Sequence, residues 1–208
     1  MSAGSNAAER DLFELIRERS FRRGKFRLAS GRESELYFNL KPTMMAPKGA
    51  LLSARALLAR IWPENVDYVG GLEMGAVPVI AALAAISEAE GRPVKTFFVR
   101  KQPKGHGTMD MIEGLAPNET LAKAHVMVID DVATSGGSIL KAVDAARGAG
   151  AFVNAALVLI DREEGASEAL TAQNVRLLSV FRGKEFLEPA PSPPHDASPT
   201  LANVPKTA

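Results

Sequence analysis

The chain has 208 residues, of which 46% are hydrophobic and 24% charged, and this size and composition suit one globular domain. With 25 basic and 24 acidic residues, the formal net charge is +1, so no global field favours nucleic acid or an anionic membrane as a partner. The absence of cysteine excludes disulfides and thiol nucleophiles, and no apolar run reaches the roughly 18 residues of a membrane span. We therefore expect a cytoplasmic protein.

The amino-terminal stretch MSAGSNAAERDLFELIRERS predicts an amphipathic helix. Asn6 and Glu9 have the spacing of a capping box, and Leu12, Leu15 and Ile16 recur at helical spacing. This pattern is typical of a capped helix rather than a signal peptide.

From residue 60 to residue 181, apolar runs typical of buried strands alternate with helical patterns. Strands are expected at 66–71, 94–99, 125–130, 151–161 and 175–181, and helices at 76–91 and 137–150. Such alternation indicates βαβ units and a parallel sheet covered on both faces. The sequence therefore predicts an α/β fold with a central, mostly parallel sheet flanked by helices.

Two segments depart from this alternation. Residues 100–118, RKQPKGHGTMDMIEGLAPN, carry four basic or histidine residues in their first seven positions, and a polar loop of this length is more often functional than not. Residues 188–208 hold six of the 13 prolines and few large aliphatic side chains, which predicts a disordered tail.

Loops that follow parallel strands meet at the carboxyl edge of the sheet, where α/β proteins bind ligands. Three unusual segments follow expected strands in this way: Gly70–Gly75, Arg100–Gly107 and Asp130–Ser138. The stretch DREEG, residues 161–165, follows a fourth strand. The sequence therefore predicts that these loops converge on one site.

The stretch VMVIDDVATSGGS, residues 126–138, ends a buried strand on two adjacent carboxylates. Asp130 and Asp131 repel each other and resist burial, so they are either solvated at a turn or matched by hydroxyl groups or a cation. The Thr-Ser-Gly-Gly turn at 134–137 precedes a helix whose first N–H groups can bind a phosphate. A ligand that joins a phosphate to a vicinal diol, such as a ribose 5-phosphate, satisfies both halves.

This stretch resembles the phosphoribosyl-pyrophosphate motif of the type I phosphoribosyltransferases, an acidic pair that leads into a Thr/Ser/Gly-rich loop. Within that superfamily, RKQPKGHG resembles a basic loop of the orotate phosphoribosyltransferases, and FRLASGRESELYFNL, residues 26–40, is similar to their amino-terminal segment. The resemblance covers residues 10 to about 186. Ala29 and the pair Glu73-Met74 stand where many bacterial members have a lysine and a Tyr-Lys pair, so the chain is similar to a second branch of the family.

The resemblance implies the type I phosphoribosyltransferase fold, with a single domain over residues 1–187, a small hood built from residues 1–45 and a mobile catalytic loop. It implies transfer of ribose 5-phosphate from phosphoribosyl pyrophosphate to orotate, which yields orotidine 5′-phosphate and pyrophosphate in the de novo synthesis of pyrimidines and UMP. It also implies Mg²⁺ as cofactor and a homodimer in which residues 100–116 complete the neighbouring site.

The same resemblance assigns roles to residues. Those implied to bind phosphoribosyl pyrophosphate are Arg100, Lys101, Lys104, His106, Asp130, Asp131, Val132, Ala133, Thr134, Ser135, Gly136, Gly137 and Ser138. The catalytic roles fall on Lys104, His106, Asp130 and Asp131. Thr134, Arg162 and Phe38 are implied to contact orotate. Mg²⁺ is expected to bind mainly through pyrophosphate and ribose, without direct protein ligands.

Alternative interpretations stay open. Phe38 can pack in a core instead of lining the base site, and Arg162 can pair with a neighbouring glutamate on the surface. A purine, uracil or another base is an alternative acceptor, although Arg162 favours one that carries a carboxylate. A regulator that binds phosphoribosyl pyrophosphate without catalysis is a further alternative, against which Lys104 and His106 argue.

Overall fold

The structure is a computed structural model, and it describes residues 3–27, 33–102 and 111–187. The elements in chain order are α1 (Ala3–Arg19), β1 (Phe21–Arg27), β2 (Glu33–Phe38), α2 (Lys41–Met44), α3 (Pro47–Ile61), β3 (Tyr68–Leu72), α4 (Val77–Ala89), β4 (Lys95–Val99), β5 (Ile112–Glu113), β6 (His125–Ala133), α5 (Gly137–Gly148), β7 (Phe152–Asp161), α6 (Ala166–Thr171), β8 (Arg176–Arg182) and a final 3-10 helix (Gly183–Leu187). The predicted tail at 188–208 lies outside the described residues.

Over the described residues, the central sheet has six strands in the order β5-β4-β3-β6-β7-β8. All neighbouring pairs from β4 to β8 are parallel, and only β5 pairs antiparallel, with β4. The five strands predicted from the sequence are β3, β4, β6, β7 and β8, so the α/β fold with a mostly parallel central sheet is confirmed. The short strand β5 lies inside the segment that was expected to be a loop.

The side chains of β6 show why its apolar run is continuous. Met127 and Ile129 join the core formed with α3 and α4, whereas Val126 and Val128 join the core formed with α5. Successive side chains of a strand point to opposite faces, so a strand covered on both sides must be apolar at every position. This double burial leaves only the carboxyl end of β6 available for polar residues.

The amino-terminal region forms a second, two-stranded sheet. β1 and β2 pair antiparallel, with Phe21 opposite Phe38, and α1 precedes them. The amino-terminal helix is confirmed, but it begins at Ala3, so Asn6 lies inside it and the capping prediction is wrong. The hairpin itself and the helix α3 were missed from the sequence.

An aromatic cluster joins this hairpin to the end of the chain. Phe186 of the final 3-10 helix is 2% exposed, and its ring centroid lies 4.1 Å from that of Phe13, 5.2 Å from Phe38 and 5.7 Å from Phe21. A fourth ring, that of Phe181 on β8, lies 5.9 Å away, edge-on. Phe186 therefore ties α1 and the hairpin to the edge of the central sheet.

In the part of the chain that the structure describes, no helix has both the length and the apolar character that crossing a membrane requires.

Replacing Phe186 with alanine should lower the free energy of unfolding by about 3–5 kcal/mol, because it leaves a cavity between four aromatic rings. The matched control is Phe152→Ala, since Phe152 is 53% exposed and should cost about 1 kcal/mol or less. Urea unfolding followed by circular dichroism measures both. Equal losses in the two variants would show that the aromatic cluster does not stabilise the fold.

Candidate active site

The acidic pair lies within β6, which continues to Ala133 instead of ending at residue 130. Pairing with β7 extends the strand, since Val132 lies opposite Ile160 and Ala133 opposite Asp161. Val132 and Ala133, both implied to bind the ligand, are therefore strand residues. Ala133 is 1% exposed, and its carbonyl accepts the main-chain N–H of Arg162 at 3.0 Å.

Asp130 is a buried carboxyl group, 5% exposed, held by two hydrogen bonds. The Ser138 hydroxyl donates to Oδ2 at 2.8 Å, and the Asp131 N–H donates to Oδ1 at 2.9 Å. Burial, and after it the negative charge of Asp131, raise the pKa of Asp130 from its usual 3.8 to about 7, although the hydrogen bond from Ser138 acts to lower it. The carboxyl group is thus poised to gain or lose a proton near neutral pH.

The start of α5 supplies the second part of the site. Gly136 is the residue that caps this helix, and it has a left-handed φ of 81°, which favours glycine over other residues. The first N–H groups of a helix have no partner within the helix and can bind a phosphate. Because Ser138 of this first turn also donates a hydrogen bond to Asp130, the start of α5 and the acidic pair are adjacent.

Gly75, in the turn after β3, approaches both carboxylates closely. A Cβ atom at this position would stand 2.7 Å from Oδ1 of Asp130 and 3.0 Å from Oδ1 of Asp131. A side chain there would push the two carboxylates from their positions, so glycine leaves the acidic pair undisturbed. The sequence analysis singled out this turn but did not show that Gly75 contacts the acidic pair. The available signal was a glycine directly before an expected helix.

The basic loop, Arg100–Gly107, begins after β4, which is the neighbour of β3 in the sheet. Arg100 and Lys101 follow β4, and the Arg100 N–H donates to the Met111 carbonyl at 2.8 Å. The Arg100 guanidinium is 3.6 Å from Oε1 of Glu113 on β5, and Lys101 is exposed. Lys104 and His106, to which the sequence assigned catalytic roles, lie outside the described residues.

Arg162 follows β7, which lies on the other side of β6 from β3 and β4. The residue is 8% exposed, and its Nη2 donates to the Leu36 carbonyl of β2 at 2.8 Å and to Oε1 of Glu164 at 2.7 Å. The alternative of an exposed surface arginine is therefore wrong, although the expected pairing with a neighbouring glutamate is present. Through Leu36, Arg162 also connects the hairpin to the central sheet.

Phe38 and Thr134 differ in their access to a ligand. Phe38 is 8% exposed and packs against Phe21 at 5.1 Å between ring centroids, so its ring belongs mainly to the aromatic cluster. Thr134 is half-buried in the turn before α5, and its neighbour Ser135 is exposed. The contact of Phe38 with orotate stays a prediction.

An acidic strand end joined to a helix-start turn, with cations on both sides, is suited to bind a sugar phosphate. Residues 48–178 match the family described as the phosphoribosyl transferase domain. This match covers more than half of the chain, and the site has the composition expected from the sequence motif. The chain is therefore a phosphoribosyltransferase.

Comparison with known proteins shows which family of phosphoribosyltransferases this chain belongs to. An orotate phosphoribosyltransferase from a Bradyrhizobium strain is 50% identical over 182 residues, which cover 88% of this chain and 98% of the relative. The crystal structure of Mycobacterium tuberculosis orotate phosphoribosyltransferase with Fe(III) dicitrate has a TM-score of 0.73 and 34% identity, covering 86% of this chain and 98% of that one. The same protein in complex with phosphoribosyl pyrophosphate gives a TM-score of 0.70 and 31% identity, covering 87% and 99%. The chain belongs to the orotate phosphoribosyltransferase family of pentosyltransferase enzymes.

The raised pKa of Asp130 predicts a pH-dependent stability. Between the usual value of 3.8 and about 7, the folded protein keeps a proton on Asp130 that the unfolded chain has lost. The free energy of unfolding should therefore fall as pH rises through this window, by an amount on the order of a few kcal/mol. In Asp130→Asn the fall should be much smaller.

Thermal unfolding of the ligand-free protein at a series of pH values from 4 to 8 measures this effect. Asp144→Asn is the matched control, because Asp144 is exposed on α5 and should leave the wild-type profile unchanged. Parallel profiles for the wild type and Asp130→Asn would show that Asp130 titrates as an ordinary carboxyl group.

Proposed function

We propose that the strand-end site is where this enzyme transfers ribose 5-phosphate from phosphoribosyl pyrophosphate to orotate in pyrimidine biosynthesis. The observation that carries the proposal is the 2.8 Å bond from Ser138 to Asp130, because it joins the acidic pair to the phosphate-binding turn. The two halves of a ribose 5-phosphate, a diol and a phosphate, are matched by these two adjacent groups. Arg162, which follows the neighbouring strand β7, supplies a cation for a nucleobase that carries a carboxylate.

In this assignment, Asp130 and Asp131 accept hydrogen bonds from the ribose 2′ and 3′ hydroxyls. A carboxylate is the natural acceptor for a vicinal diol, and ionised Asp130 has acceptor oxygens only. The turn from Thr134 to Ser138 binds the 5′-phosphate through main-chain N–H groups and hydroxyls. A ligand hydroxyl would also compensate the cost of burying the Asp130 charge.

The reaction breaks the bond between ribose C1 and the pyrophosphate oxygen and forms a bond between C1 and a nitrogen of orotate. Positive charge develops on the sugar, and negative charge develops on the leaving pyrophosphate. Arg100, Lys101, Lys104 and His106 are the cations proposed to stabilise this departure. Orotate is already anionic, so the transfer requires no strong general base.

The donor chemistry of the site fits Mg²⁺ held jointly with the substrate. Among the described residues, no cluster of three or more histidine, aspartate or glutamate side chains could hold a metal ion alone. Mg²⁺ usually keeps several waters and binds phosphate oxygens of a substrate, so it would be held mainly by the pyrophosphate and by the ribose oxygens that Asp130 and Asp131 position. When bound, the ion would neutralise charge on the departing pyrophosphate.

Orotate is proposed to bind between Arg162, Thr134 and Phe38. A guanidinium matches a carboxylate bidentately, and Arg162 is buried enough for this pairing to be strong. Glu164 already accepts a hydrogen bond from Arg162, so the arginine is held in place before the ligand arrives. A neutral purine would leave this guanidinium without a carboxylate from the ligand.

The remaining expectations from the sequence join this proposal. Residues 1–187 form one domain with a hood from residues 1–45, and the protein acts as a cytoplasmic homodimer in which residues 100–116 complete the neighbouring site. The strand order supports the proposed role of residues 100–116 in the neighbouring site. These residues begin directly after β4, which lies near the edge of the sheet rather than at its centre.

Purified protein should consume orotate, followed by its ultraviolet absorbance, only when phosphoribosyl pyrophosphate and Mg²⁺ are both present. Adenine, hypoxanthine and uracil should give no nucleotide product. Product from one of these bases without orotate turnover would reassign the acceptor, and binding of phosphoribosyl pyrophosphate without any turnover would favour the regulator.

Arg162→Gln should raise the KM for orotate about 10- to 100-fold, because it removes a charge-assisted pair with the orotate carboxylate. The KM for phosphoribosyl pyrophosphate should change far less. Arg176→Gln is the matched control, since the Arg176 guanidinium also pairs with a glutamate, Glu64 at 2.7 Å, but is exposed on β8. An unchanged KM for orotate in the Arg162 variant would remove this residue from the base site.

A further inference from the structure

Glu73 lies in the turn after β3, beside the root of the basic loop. β3 and β4 are parallel neighbours with Leu72 opposite Val99, so the turns that follow these strands are adjacent. Glu73 is half-buried and has no part in the transfer as proposed above. It is also one of the two positions in this turn that distinguish the chain from family members with a Tyr-Lys pair.

Glu73 makes one hydrogen bond to the last residue of β4 and one to the chain that follows it. Its main-chain N–H donates to the Val99 carbonyl at 2.8 Å, and its Oε1 accepts the main-chain N–H of Lys101, also at 2.8 Å. The Arg100 N–H also donates to the Met111 carbonyl, so hydrogen bonds hold the main chain at three consecutive residues, Val99, Arg100 and Lys101. Of these three bonds, only the one to Lys101 depends on a side chain.

We propose that Glu73 is a positioning residue for the pyrophosphate half of the substrate. Its carboxylate fixes the main chain on which Arg100 and Lys101 stand, and so sets where their charges meet pyrophosphate. The bond goes to the main-chain N–H of Lys101 and not to its ammonium group, so it does not use the ammonium charge that is proposed to bind pyrophosphate. This inference rests on the proposed function, in which Arg100 and Lys101 bind pyrophosphate.

The opposite effect of Glu73 is also physically reasonable. A carboxylate close to a pyrophosphate repels it, and removal of that charge would then tighten binding. The two effects differ in sign, and glutamine separates them, because its amide oxygen can still accept the Lys101 N–H while the charge is lost. Comparison of alanine and glutamine variants therefore distinguishes positioning from repulsion.

The test is steady-state kinetics of Glu73→Ala and Glu73→Gln with both substrates varied, together with inhibition by pyrophosphate. Glu73→Ala should lower kcat/KM for phosphoribosyl pyrophosphate about 5- to 30-fold and weaken pyrophosphate inhibition similarly, with the KM for orotate changed less than about twofold. Glu73→Gln should recover most of the loss. The matched control is Glu185→Ala, since the Glu185 carboxylate also accepts a main-chain N–H, from Arg182 at 2.7 Å, and should leave the kinetics unchanged.

Three results would overturn the positioning role: wild-type kinetics in Glu73→Ala, tighter binding of phosphoribosyl pyrophosphate, or equal losses in the alanine and glutamine variants. If Glu73→Ala does not fold, Glu73→Asp replaces it, because the shorter side chain cannot span the 2.8 Å contact without moving the turn. Absence of orotate turnover in the wild-type protein would instead count against the proposed function.

Discussion

The site depends on one electrostatic constraint, the burial of the Asp130 carboxyl group beside a second carboxylate at the end of a doubly covered strand. Burial and the neighbouring charge both raise its pKa, and hydrogen bonds from the Ser138 hydroxyl and the Asp131 N–H offset part of this cost. Gly75 leaves room for both carboxylates by having no Cβ atom. Such an arrangement reduces the stability of the ligand-free protein near neutral pH and favours a ligand that brings hydroxyl donors.

The parts around this constraint are connected through the backbone. The Arg162 N–H bonds the last residue of β6, and its guanidinium bonds the carbonyl of Leu36 in the hairpin. On the other side of the acidic pair, Glu73 bonds the chain that follows β4. The proposed base site and the proposed pyrophosphate site are therefore both anchored to the carboxyl ends of the strands that flank Asp130. Substitutions at these anchors should act on one substrate at a time.

The sequence predicted the central sheet well because β3, β6 and β7 are covered on both faces, which demands unbroken apolar runs. It also identified the acidic pair and the turn before α5, whose residue types are unusual at a strand end. It did not predict the extension of β6 to Ala133, since that depends on pairing with β7. The hairpin was missed because β1, FRRGKFR, is rich in charge and is stabilised by an aromatic cluster assembled from distant parts of the chain. The contacts of Gly75 with the acidic pair, of Glu73 with Lys101 and of Arg162 with Leu36 are long-range, so local sequence patterns could not show them.

A crystal structure of the protein with phosphoribosyl pyrophosphate and Mg²⁺ tests most directly whether the acidic pair binds ribose. The 5′-phosphate should lie within hydrogen-bonding distance of the main-chain N–H groups of the turn at 134–138. The ribose 2′ and 3′ hydroxyls should bond the carboxylates of Asp130 and Asp131. A sugar phosphate bound elsewhere, or bound at this turn with its hydroxyls directed away from Asp130, would show that the acidic pair at the end of β6 does not bind ribose.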